Sequence, residues 1–144
     1  MSSRRRGGES GSVLMLMPAG VLVVLILGAI AFDLSVLFLR QRQATSVAVD
    51  VANDLASAAV DENELRATGT YRLDPEQADA LGRRFVDASD IAGQVTDLQV
   101  EVVGPDEVQV IVTLRVDYVF AKAIPGASDG TTVVGRATAV AARR

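Results

Sequence analysis

Residues 13–32 read VLMLMPAGVLVVLILGAIAF, twenty positions without one charged side chain. A helix rises about 1.5 Å per residue, so ~20 residues match the ~30 Å hydrocarbon core of a bilayer. A soluble domain in a chain of 144 residues has no use for such a run. It reads as a membrane-spanning helix. Apolar character resumes after Asp33 and continues to Leu39, so the span is assigned to residues 13–39. Residues 1–12 become a basic cytoplasmic N-terminus or leader, and residues 40–144 an extracytoplasmic domain.

Charge around the run sets the expected orientation. Arg4, Arg5 and Arg6 precede it; Arg40 and Arg42 follow, with Asp50 and Asp54 close behind. The excess of arginine on the N-terminal side favours a cytoplasmic N-terminus and an exported C-terminus, in a single pass through the cytoplasmic membrane. Two other fates compete with retention. Ala29-Ile30-Ala31 is an A-x-A pattern at which a signal peptidase would cut before Phe32, although the apolar run exceeds the usual ~7–15 residues of a signal peptide. A short leader could instead be removed at a candidate processing position, Gly8 or Gly11.

Within the span, Pro18, Gly20, Gly28 and Ala29 offer the small or kinked contacts through which membrane helices pack. Pro18 also has a plainer reading, a proline tolerated in the first turns of a helix. Asp33 is the sharpest position. At the end of the run it meets water at little cost; inside a shifted span it needs a partner. Placement at the water interface is the expectation.

The chain beyond residue 39 reads as α+β. Residues 41–60 contain neither Gly nor Pro, and Ala44, Val47, Ala48, Val51, Leu55 and Ala58 recur at three- and four-residue steps. The membrane helix is therefore expected to run on as a long amphipathic helix. The Asp61-Glu62-Asn63-Glu64 cluster reads as the solvated turn that ends it. Asp74-Pro75-Glu76-Gln77 opens a second helix, with Asp74 as cap, Pro75 in the first turn and Gln77 completing a capping box. Ala78, Leu81, Phe85, Ala88 and Ala92 mark its apolar face, and Gly93 its end.

The period then falls to two. Leu98, Val100 and Val102 alternate with polar residues, and Gly104-Pro105-Asp106 turns the chain. Val108, Val110, Val112, Leu114, Val116, Tyr118 and Phe120 share one face of a long strand. Residues 122–130 form a loop, and 131–142 a third strand whose small residues, Gly135, Ala137, Ala139 and Ala141, let a helix lie close. The expected architecture is a helical stalk, a second helix and a three-stranded antiparallel sheet, packed as a two-layer head.

Several chemistries are excluded or disfavoured. Cys and His are both absent, which removes disulfides, thiolate metal sites, a Cys nucleophile and the usual neutral-pH base. From Arg40 onward there are 11 basic and 16 acidic residues, so the domain is acidic and nucleic acid is an unsuitable partner. No nucleophile-elbow or phosphate-loop pattern occurs. Paired carboxylates such as Asp61/Glu62 and Asp106/Glu107 stand in polar turns. The expectation is a protein without enzymatic activity, cofactor, metal or small-molecule substrate.

Taken in order, these features resemble the TadE/TadG-like proteins of tight-adherence (Flp) pilus systems. The resemblance rests on the Arg-rich start, Gly11-Ser12-Val13, the apolar helix with Pro18 closing in Phe32-Asp33-Leu34, and Arg40-Gln41-Arg42-Gln43-Ala44. It continues in the Ala-rich helix around Asp50 and Asp54, Leu73-Asp74-Pro75, Ile124-Pro125-Gly126 and the closing sheet. It implies a pilin-like or pseudopilin-like accessory subunit whose partners are other pilin-like subunits and an inner-membrane platform protein. Pilin leaders are followed by Glu at the fifth mature position. Here a cut after Gly11 places Leu16 there, and a cut after Gly8 places Val13. An accessory subunit therefore fits better than a major pilin. The competing reading is a membrane-tethered binding module unrelated to pili, or a secreted domain released by signal-peptide cleavage.

Overall fold

The computed structural model describes residues 10–141, with side chains from Leu16 onward. Helix α1 runs unbroken over Ser10–Ala58, 49 residues, with Pro18 inside it. Nothing between the apolar run and the Ala-rich stripe can stop a helix, and nothing does. Its two halves differ in burial. Leu16 to Phe32 stand bare apart from half-buried Ala29, and α1 is by length and composition able to cross a membrane. From Ala44 onward one stripe is buried: Ala44, Ala48, Val51, Ala52, Leu55 and Ala56, followed by Ala59 just past the helix end. The stripe follows the expected three- and four-residue steps, but Ala58 faces solvent and Ala52, Ala56 and Ala59 lie inside.

That stripe packs on a three-stranded antiparallel sheet in the order β1 (Val95–Val102), β2 (Glu107–Asp117), β3 (Gly130–Val140). The fold is α+β, as the change of period from 3.6 to 2 implies. Val108, Val110, Val112, Leu114 and Val116 of β2 are buried beneath the helix. Their partners on β3 are Ala139, Ala137, Gly135, Val133 and Thr131. Small residues there let α1 approach the backbone. A Cβ on Gly135 would overlap the Ala44 carbonyl and stand 2.5 Å from Thr45 N. Glycine is required at this crossing because no side chain fits between strand and helix. Gln41 Nε2 also donates to the Val134 carbonyl at 2.7 Å, tying helix to strand beside it. Helix α3 (Pro75–Asp87) covers β1 through Ala78, Gly82 and Val86; a Cβ on Gly82 would stand 2.7 Å from Val100 Cγ2.

Four sequence expectations need correction. The acidic cluster is not a bare turn. Asp61 caps a further helix, α2 (Glu62–Thr68), accepting from Asn63 N at 2.9 Å and Glu64 N at 3.0 Å, and Gly69 closes it at φ 71°. Asp74 caps α3 as expected, but Gln77 does not complete a reciprocal box; its amide reaches the Ala58 carbonyl at the end of α1. Helix α3 ends before Gly93, because Ser89 folds back and both its N–H and its hydroxyl donate to the Val86 carbonyl. Ala88 is accordingly exposed. Strand β2 stops at Asp117, so Tyr118 and Phe120 leave the sheet despite continuing its alternation.

Candidate functional site

The early end of β2 is explained by a residue far away in sequence. After Asp117 the chain turns, and Ala121–Ala123 forms a single 3-10 turn. The N–H groups of three consecutive residues there converge on one carboxylate, that of Asp33 on α1. Val119 N donates to Oδ1 at 2.9 Å, and Ala121 N to Oδ2 at 2.9 Å. Phe120 N is shared between both oxygens at 3.2 Å each. Asp33 thus acts as an N-terminal cap for a turn 86 to 88 residues away. The chemistry suits an anion: consecutive backbone N–H groups form a concavity that favours negative charge, and charged acceptors make the stronger bonds. Only 8 % of Asp33 is exposed.

The clamp is extended by an aromatic pair. Phe32 and Phe120 meet edge to face with ring centroids 5.4 Å apart. Below them, Leu25, Ile26, Ala29 and Ile30 of α1 and Phe120, Ala121 and Ile124 of the loop line a cleft whose one charged side chain is Asp33. The loop closes itself elsewhere. Tyr118 N donates to the Asp129 carbonyl, Ala123 N to Phe120, Ile124 N to Ala121 and Ala127 N to Ile124.

The structure gives Asp33 partners that the sequence reading did not foresee: it is buried, and they come from its own chain. No sequence pattern could have supplied them, since backbone N–H groups are common to almost every residue. The remaining candidates are not brought together. Pro18, Gly20 and Gly28 lie on the bare half of α1, and a Cβ on Gly20 or Gly28 would meet nothing within 4 Å. They remain free for contacts outside the chain. Gly11 lies in the first turn of α1, and Gly8 falls outside the described residues. Among the described residues no three carboxylates converge as a metal site, and Asp61 is committed to its cap. No family model, curated protein or solved structure matches this chain.

Proposed function

We propose that this protein is a single-pass, pilin-like accessory subunit of a tight-adherence pilus or related secretion system. It acts without catalysis. The bare half of α1 sits in the cytoplasmic membrane with its N-terminus on the cytoplasmic side, and the α+β head lies outside. The observation that carries the reading is the division of one 49-residue helix into a bare apolar half and a half buried under a sheet. An anchor followed by a linker would let the head swing. Here the head is packed on the same rigid rod, so lateral packing of the membrane helices also orients the heads, which is what an assembling subunit needs. The exposed small positions Gly20 and Gly28 support close approach by a partner helix.

The test is recovery of partners. A tagged full chain, solubilised in mild detergent from cells that make the pilus, is expected to bring down other pilin-like subunits and the inner-membrane platform protein. Gly28→Leu is expected to reduce that recovery without loss of the head's fold. Recovery of neither partner would refute the pilus reading and favour a tethered binding module.

A further inference from the structure

The loop around the clamp is apolar where it faces outward. Val119 is 45 % exposed, Phe120 47 % and Ile124 59 %. These residues belong to the head, yet they lie alongside the apolar half of α1. Ile124 lines one cleft with Leu25 and Ile26, which precede Asp33 by eight and seven residues. At about 1.5 Å per residue that is about 10–12 Å down the helix axis from Asp33. Side-chain reach covers part of this distance; the rest places the loop tip level with the apolar rod, below its end. On the uncovered side of α1, exposed apolar residues continue past Asp33 through Leu34, Phe38 and Leu39, and give way to Arg40, Gln41 and Arg42. Asp33 and the loop therefore both lie below the level at which α1 turns polar.

We propose that the 119–124 loop is a second membrane contact, an apolar tip seated in the outer boundary of the bilayer beside the helix. The proposal rests on the bilayer placement of α1 given above. Counted from Asp33, where the charge-free run of residues 13–32 closes, the tip's depth of about 10–12 Å less side-chain reach agrees with that of interfacial segments, whose apolar faces sink ~5–10 Å into the boundary between headgroups and acyl chains. Irregular backbone is tolerated at such depth only where its polar groups are satisfied. Five of the six N–H groups of residues 119–124 are taken, those of 119–121 by Asp33 and those of Ala123 and Ile124 by carbonyls of the loop; the sixth belongs to Lys122, the residue whose charged side chain faces outward. Lys122 is exposed on the same turn, where its long stem lets an ammonium reach phosphate headgroups. In this role Asp33 is a positioning residue: it makes a turn with three free N–H groups compatible with an apolar surrounding and holds its tip against the rod. Two contacts, helix and loop, would fix the tilt and rotation of the head, which one helix alone cannot do.

The chain contains no Cys, so single labels can be placed at will. Val24→Cys, Ile124→Cys and Val140→Cys are made separately in the full chain and coupled to an environment-sensitive fluorophore. Each is reconstituted into phosphatidylcholine–phosphatidylglycerol vesicles with and without nitroxide-bearing lipid. Ile124 and Val140 are equally exposed in the protein, 59 % each, and Val140 lies opposite Glu107 at the other end of the sheet. The expected result is blue-shifted emission and strong quenching at 24 and 124, and neither at 140. Quenching at 24 with a water-like label at 124 overturns the loop proposal alone. Absence of quenching at both overturns the membrane span and the loop contact with it. A blue-shifted label at 124 that lipid nitroxides do not quench, and that returns to a water-like spectrum on protein dilution, means that a second copy covers the loop, and likewise overturns the proposal.

Discussion

Gly135→Val is the substitution whose consequence the packing defines most sharply. The strand backbone there touches the helix backbone, not a side chain that can swing away. An ideal Cβ would stand 2.5 Å from Thr45 N and overlap the Ala44 carbonyl. Comfortable heavy-atom separation is ~3.5–4.0 Å, so α1 must retreat from β3 by about 1 Å, enough to forfeit up to about half of the dispersion attraction along that seam. Overpacking costs ~1–3 kcal/mol in general, and a backbone obstacle places this case at the upper end. Valine in place of glycine in a strand returns at most ~1 kcal/mol through strand propensity. A net loss of about 2 kcal/mol lowers the melting temperature of a ~100-residue head by about 8–16 °C. The assay is thermal melting of the full chain in detergent, followed through the infrared signal of the sheet so that the micelle-protected helix does not mask it. Gly28→Val is the control, because a Cβ there meets nothing. A Gly135→Val midpoint within ~4 °C of the parent, the shift of about 1 kcal/mol, would refute the close helix–strand crossing.

Three other outcomes follow from named contacts. Asp33→Asn keeps the size of the side chain but replaces an anionic acceptor by an amide; hydrogen exchange at Val119, Phe120 and Ala121 is expected to accelerate, while the β2 amides between Val108 and Val116 keep their protection. Leu55→Ala opens a cavity under fully buried packing and is expected to cost ~2–5 kcal/mol in chemical denaturation of the head. Asp74→Ala removes the cap from Glu76 N and Gln77 N and is expected to cost ~1 kcal/mol, with no effect on membrane association.

The long helix, the alternating face of β2 and the close approach at Gly135 were all legible in the residues, because each is governed by local periodicity or by the size of one side chain. Gln77 and Ser89 fell outside that reading: the Gln77 amide donates to the Ala58 carbonyl where a capping box would have it accept from the Asp74 N–H, and Ser89 ends α3 by donating to the Val86 carbonyl. Helix α2 was missed, although its signals were present: Asp61 two and three residues before the N–H groups it accepts, and Gly69 at the far end. The acidic run suggested solvent and concealed the cap. The end of β2 had no local signal at all. Tyr118 and Phe120 keep the alternation, and what bends the chain is a carboxylate 86 to 88 residues earlier. Asp33 stood out in sequence as a charge at the end of an apolar run, which marked it as special. Its partners, being main-chain amides, could be found only in three dimensions.

The proposed function requires one rod to serve both membrane and head. Its most direct test is the intact mass and N-terminal sequence of the native protein in membrane and soluble fractions after alkaline extraction. The expected result is a chain that stays with the membrane pellet and retains residues 13–39. A soluble chain beginning near Phe32 would contradict it, since the bare half of α1 would then be a discarded signal and the head would work unanchored.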